Sequence, residues 1–283
     1  MRVAFLHSDK PREIMLAETF LRGARRAGHR VFAERIGEDS PPGTFDVVAM
    51  VGVKSHERFH AHQAAGSHVI MVDKGYNDAA PGDKRRWTRW RIAVDSHQPT
   101  RHLFARDYPE DRWLSLGIEL QPWRRDGGHI VFAGSSAKYH TFQGLPDPTA
   151  YAEEIVAGLR RVTGREIVYR PKPSWVDAVP VEGARFSKGS ETMHDVLTGA
   201  WALVTHGSNS CFEAMCRGIP SVVLGDAVAR PISSTDLSDI EAPRLAPDPE
   251  RLRIVRALAY HQFTTVELAR GMAWGTITPE LNA

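Results

Sequence analysis

Five short, almost unbroken apolar runs constrain this chain most: FDVVAMVG (45–52), HVIMVD (68–73), HIVFAG (129–134), ALVTH (202–206) and SVVLGD (221–226). A strand with one wet face alternates apolar and polar residues. A run apolar at every position belongs to a strand covered on both faces, as in a parallel sheet between helices. Between the runs lie segments of helical period, and the opening reads strand (3–7), amphipathic helix (14–26), a Gly28 stop and strand (30–34). That is a βαβ unit.

The same pattern occurs twice. Residues 55–65 read as a crossover helix of the first series. The second series adds helices at 149–162 and near 193–199, strands at 166–170, 202–206 and 221–226, and closing helices at 249–261 and 264–274. Between 79 and 125 the pattern weakens into Pro-, Trp- and Arg-rich sequence, with Asp126-Gly127-Gly128 as the expected joint. The expected fold class is therefore α/β, with two Rossmann-like domains facing across a cleft, 1–125 and 126–283, the closing helices belonging to the second. Ligands of such sheets bind at the carboxyl ends of the strands.

Composition excludes several function classes. A net charge of +2 over 283 residues is far from that of a basic nucleic-acid-binding tail, and 42% hydrophobic residues match a chain that buries a core. Cys211 and Cys216, five apart in one expected helix, suit neither a disulfide nor a shared metal. The first residues lack the apolar core of a signal peptide, and no stretch approaches the ~20 apolar residues of a membrane span. A soluble, unprocessed cytoplasmic protein, without membrane insertion, is the expectation. The oligomeric state is not legible.

The densest chemistry lies in HGSNSCFEAMCRGIP (206–220), between a strand and a helix. One N-cap residue satisfies a helix start; here Gly207 lets the backbone approach a phosphate while Ser208, Asn209 and Ser210 add side-chain donors at the positive helix end. A plain capped helix is the alternative. The stretch resembles the donor-binding signature of nucleotide-sugar glycosyltransferases of the GT-B fold, His-x-Gly-x-Asn-Ser-x-x-Glu-Ala closing on Gly-Val-Pro. His206, Asn209, Ser210, Glu213, Ala214, Gly218 and Pro220 match, with Ile219 in the Val place and one residue fewer between His and Asn.

That resemblance implies that His206, Asn209 and Ser210 contact donor phosphates and that Glu213 holds the ribose hydroxyls. Ser135, Ser136 and Lys138 (GSSAKY) and Arg170 and Lys172 (YRPKP) end neighbouring strands and are expected to flank the leaving nucleotide. The Arg-x-Lys-Pro element and residues 202–227 are also similar to capsule-type Kdo transferases, so the resemblance implies a UDP- or CMP-linked sugar as co-substrate, with no further cofactor expected.

The first half resembles the opening unit of GT-B transferases, ending in Gly28-His29-x-Val31. In that family the loop after the first strand faces the acceptor, which makes His7 or Asp9 the candidate base for hydroxyl attack. A packed polar residue and a turn former are their plain alternatives.

Two further features need weighing. HERFH (56–60) satisfies the His-Glu-x-x-His pattern of zinc hydrolases. The chain carries 13 His, however, and this stretch falls on a crossover helix, so no metal site is expected. KRRWTRWR (84–91) interleaves five basic residues with Trp87 and Trp90, which makes Arg86, Trp87, Arg89, Trp90 and Arg91 the candidate DNA contacts. A β-edge or loop with two buried Trp is the plainer alternative. The tail ALAYHQFTTVELARGMAW and the order of motifs resemble a set of phage-encoded proteins. A glycosyltransferase acting on a 5-hydroxymethyl pyrimidine of phage-type DNA, in the host cytoplasm, is thus the leading expectation. The alternatives are transfer to a surface glycan, or a GT-B-like epimerase or binding protein.

Overall fold

The computed structural model describes residues 1–76, 89–187 and 189–282. Its elements in chain order are β1 (Arg2–His7), α1 (Pro11–Arg26), β2 (Arg30–Arg35), β3 (Val47–Val51), α2 (His56–Ala64), β4 (His68–Lys74), β5 (Trp90–Val94), α3 (Asp111–Leu114), β6 (His129–Ala133), α4 (Ala137–Gln143), α5 (Pro148–Val162) and β7 (Glu166–Arg170). They continue with β8 (Arg185–Phe186), α6 (Met193–Leu197), β9 (Ala200–Thr205), α7 (Ser210–Cys216), β10 (Ser221–Val223), α8 (Asp248–Tyr260), β11 (Gln262–Phe263), α9 (Thr265–Arg270) and α10 (Trp274–Leu281).

The chain divides into two compact units, Met1–Arg112 with Arg256–Ala283, and Trp113–Val255. The first holds a six-stranded sheet in the order β11-β5-β4-β3-β1-β2, parallel from β2 through β4 and antiparallel at β5 and β11. Its core is formed by the apolar stretches Val47–Val51 of β3 and 69–72 of β4 under α1, whose Leu16, Phe20 and Ala24 repeat at helical spacing and are buried. The second holds a five-stranded parallel sheet in the order β10-β9-β6-β7-β8, with α5 supplying Ala152, Ile155, Val156 and Leu159 to its core. Both are Rossmann-like sheets, as the apolar runs require.

The boundaries differ from the expected 125/126 joint. Gly127 is not at a joint: at φ 156° it sits so close to the start of β9 that a Cβ there would lie 2.5 Å from the Trp201 nitrogen. The closing segment belongs to the first unit rather than the second. β11 pairs with β5, Trp274 packs on Phe20, and Gly23 of α1 abuts α9 so tightly that a Cβ would lie 2.0 Å from the Leu268 carbonyl oxygen. Apolar periodicity marks a helix but not the sheet it covers. The expected helix 264–274 is also two helices, broken at Gly271 with φ +85°.

The region read as patternless contains β5. Trp90 and Arg91, expected to contact DNA, are strand residues 3% and 1% exposed. Arg91 is held beneath the sheet end by Asp73 at 3.3 Å and His97 at 2.9 Å. They have no surface to offer a nucleic acid. Arg89 is half-buried, and Arg86 and Trp87 lie outside the described residues. His56 and His60 lie on α2, and among the described residues no cluster of three His, Cys, Asp or Glu could hold a metal ion.

Candidate functional site

In the second unit, chain order and spatial order part between β6 and β9. β7 and β8 extend the sheet to one side of β6, β9 and β10 to the other. Loops leave such a switch point in opposite directions and open a crevice at the strands' carboxyl ends. The loops that bound it are Gly134-Ser135-Ser136 after β6 and His206-Gly207-Ser208-Asn209 after β9, with Arg170-Pro171-Lys172 next along the sheet after β7. Three stretches far apart in the chain thus meet at one sheet edge, as their expected placement at strand ends required.

The junction is tightly built. Thr205 donates to the Ala133 carbonyl at 3.0 Å, locking the two strand ends together. A Cβ on Gly207 would lie 1.7 Å from the Tyr139 hydroxyl oxygen, so this position admits the first turn of α4 only as glycine. The His206 ring sits between Tyr139 and Tyr151, edge to face, with Nδ1 2.9 Å from the Tyr151 hydroxyl. On its other side Gly225 leaves no room for a methyl, which would lie 2.1 Å from Nε2. Burial, reinforced by His140 and Arg230, lowers the His206 pKa to about 4. At neutral pH this imidazole is uncharged, so it can offer an oriented N–H but no positive charge.

The polar residues at the start of α7 bond largely among themselves. The Ser208 amide donates to Thr205 Oγ1 at 3.1 Å, and Ser208 Oγ accepts from the Ser210 amide at 3.2 Å and the Ser210 hydroxyl at 2.9 Å. Asn209 is the N-cap residue, in helical rather than extended backbone, and its side chain makes no capping bond. With its oxygen accepting twice, the Ser208 hydroxyl has its proton left to donate. Glu213 stands one turn on; burial raises its pKa, opposed by Arg217 and His194. Arg170 is buried at the end of β7, which lowers its pKa against the pull of Glu191 and Asp195, and it keeps its charge close to the crevice floor. Lys138 and Lys172 are exposed.

In the first unit His7 ends β1 and Asp9 follows it at the sheet's carboxyl end. Asp9 is an exposed partner of Arg35, whose hydrogen bond lowers its pKa. His7 lies with Nδ1 3.1 Å from the Ser8 carbonyl oxygen, which only accepts, so Nδ1 is the donor in that bond. It opens onto a groove of about 370 Å³ between α1 and β2, floored by Ala17, Leu21 and Val31 and edged by Glu18, Arg22 and Arg25.

Two features escape a sequence reading. Glu13 is a buried carboxylate at the first turn of α1; burial raises its pKa, but the Ser8 amide at 3.0 Å and hydroxyl at 2.7 Å, with Lys10 and Lys54, outweigh burial and hold it ionised. Tyr139 and Tyr151, which frame the signature histidine, come from helices 55 or more positions earlier, and only GSSAKY hinted at one of them.

No protein-family model matches the sequence, and no curated protein matches it. Among solved structures, the chain is similar to a beta Kdo 2,7 transferase, KpsC of Thermosulfurimonas dismutans, at a TM-score of 0.60 and 15% identity, over 96% of this chain and 99% of that one. A beta Kdo 2,4 transferase structure of KpsC from the same organism matches at a TM-score of 0.56 and 12% identity, over 93% and 92%. The likeness at this identity is one of fold: two Rossmann-like domains of the GT-B glycosyltransferase type. Among the described residues no helix is long and apolar enough to cross a membrane.

Proposed function

We propose that the protein is a glycosyltransferase that moves a sugar from a UDP- or CMP-linked donor to a hydroxyl of a glycan. The observation that carries this reading is the meeting of Ser135-Ser136, Arg170 and the His206–Glu213 signature at the switch point of the second sheet. A departing nucleotide carries negative charge on phosphate oxygens. The Ser208 and Ser136 hydroxyls, the Asn209 amide and the His206 N–H are donors for those oxygens, and Arg170, with Lys172 and Lys138 at the rim, supplies the charge. Glu213, one turn into α7, is the acceptor suited to ribose hydroxyls.

On the acceptor side His7 is the better of the two candidates for the base. Its Nε2 lone pair takes the proton of the attacking hydroxyl as the oxygen bonds to the anomeric carbon and the nucleotide leaves. Asp9, tied to Arg35, is the weaker proton acceptor. A glycan acceptor is favoured over DNA because Trp90 and Arg91, two of the five residues on which DNA contact rested, are buried in β5. Both similar structures are Kdo transferases, which favours sugar chemistry of this kind.

The test is a thermal-shift titration with UDP, CMP, GDP, ADP and NAD on the wild type, Asn209→Ala and Glu213→Ala. Stabilisation by UDP or CMP alone, lost in both variants, is the expected result. A wild-type melting point indifferent to every nucleotide sinks the donor assignment.

A further inference from the structure

We propose that Arg251 is a positioning residue for the donor site, a buried cation that sets the place of α7 by clamping its carboxyl end to the segment through which the chain enters the second unit. The inference rests on the donor reading above and names no group that touches the donor.

Every carbonyl in the last turn of α7 has a donor. Arg217 N–H bonds Glu213 O at 3.1 Å and Ile219 N–H bonds Ala214 O at 2.9 Å, as a helix end does with its own chain. Met215 O takes a longer bond from Gly218 N–H at 3.2 Å, and both it and Cys216 O are reached from elsewhere. Gln121 N–H donates to Cys216 O at 2.8 Å, and Arg251 Nη2 donates to Met215 O at 2.6 Å and to Gln121 O at 2.8 Å. One guanidinium nitrogen therefore bridges the helix end and the entering segment. Its other terminal nitrogen bonds Asp248 at 2.9 Å, and its plane lies 4.1 Å from the centre of the Trp123 ring, itself held by a bond from Nε1 to Ala246 O at 2.6 Å.

Arg251 is 1% exposed. A buried cation is costly unless matched, and here the negative end of a helix dipole, two carbonyls, a carboxylate and an aromatic face match it. Gly218 completes the joint: at φ +69°, a Cβ would lie 1.9 Å from Pro122 O, while Arg124 N–H bonds Gly218 O at 2.7 Å. The Gly-Ile-Pro that closes the signature thus serves the entering segment rather than a ligand.

The consequence for the donor site follows from the length of α7. Seven residues make two turns, about 10 Å of rigid rod. Asn209 and Ser210 lie at one end, Glu213 at the middle, and Arg251 grips the other end. Freeing the gripped end lets the rod tilt and carries those three side chains with it. Lysine cannot reproduce the grip, because a single ammonium lacks the fork that reaches both carbonyls and the carboxylate while stacking on Trp123.

The test compares the full-length wild type, Arg251→Met and Arg251→Lys at a temperature where circular dichroism shows each folded. Two quantities are read: amide exchange of α7 and of α5 in the same unit, and UDP and CMP affinity by calorimetry. Arg251→Met is expected to speed α7 exchange about tenfold, leave α5 unchanged and weaken nucleotide binding about tenfold, with Arg251→Lys between it and wild type. Wild-type exchange and affinity in a folded Arg251→Met, or equal acceleration of α5 and α7, overturns the proposal, the latter because it marks a general core role. If the wild type binds neither nucleotide, the donor reading fails. In that case selective α7 exchange still supports the clamp, and its absence overturns it.

Discussion

Gly225 faces the imidazole of His206, and the space between them decides what a single methyl does. A Cβ built on Gly225 lies 2.1 Å from Nε2, 2.2 Å from Cδ2 and 2.8 Å from Cε1, so three ring atoms must retreat together by roughly an ångström. The ring has nowhere to go without leaving Tyr151, whose hydroxyl holds Nδ1 at 2.9 Å, and without meeting Tyr139. Overpacking of this kind costs ~1–3 kcal/mol. Losing the Tyr151 bond while its hydroxyl stays buried costs about 1–3 kcal/mol more, so Gly225→Ala should lose roughly 2–6 kcal/mol. In a His206→Ala background the ring is gone, the methyl has room, and the cost of Gly225→Ala should fall below ~1 kcal/mol. Urea denaturation of the wild type, both single variants and the double variant reads all four stabilities. Gly225→Ala costs that agree within about 0.5 kcal/mol in the two backgrounds would mean that the ring is not what the methyl strikes, and would refute the reasoning.

The His206 pKa, lowered to about 4 by burial, has a pH signature. Below the ordinary value of 6.5 the unfolded chain binds a proton that the folded one refuses, so stability is fully present above pH 6.5 and is lost as pH falls toward 4. After discounting for the ring's partial exposure this amounts to about 1–2 kcal/mol; His206→Gln should lack that part of the acid slope, and an identical slope in both proteins contradicts the assignment. Gly218→Ala combines a left-handed backbone with a clash against Pro122 and should destabilise by roughly 2–4 kcal/mol in thermal unfolding; a loss under about 0.5 kcal/mol would show that the entering segment yields freely. Arg91→Ala should unfold the first unit more readily, by about 2–4 kcal/mol, and a folded, wild-type-stable variant would show that this guanidinium is not the buried brace of Asp73 and His97. His7→Gln should leave UDP or CMP binding unchanged and cut sugar transfer about a hundredfold, whereas full turnover would remove His7 as the base.

The expected DNA contacts show why a residue pattern misleads without burial. KRRWTRWR reads as basic residues interleaved with Trp, and Trp87 and Trp90, three apart, give no period-two signal of a strand. The neighbours of β5 are β4, twenty residues back, and β11, some 170 residues on, so nothing local tells the reader that Arg91 lies under a sheet. The same blindness put the second closing helix, 264–274, with the wrong unit.

The sequence alone determined the parallel strands of both sheets, because strands with no polar face must be covered twice, and it placed Ser135, Arg170 and the start of His206–Glu213 at strand ends. Tertiary structure decided the rest, since it depends on approach between segments distant in the chain. Tyr151 and Gly225 make the signature histidine a neutral, oriented ring, the entering segment accounts for Gly218, and the return of the chain at Arg256 completes the first core. Hydrophobic period is a local property, readable along the chain. Charge state and close packing are properties of neighbours, and only the folded chain supplies them.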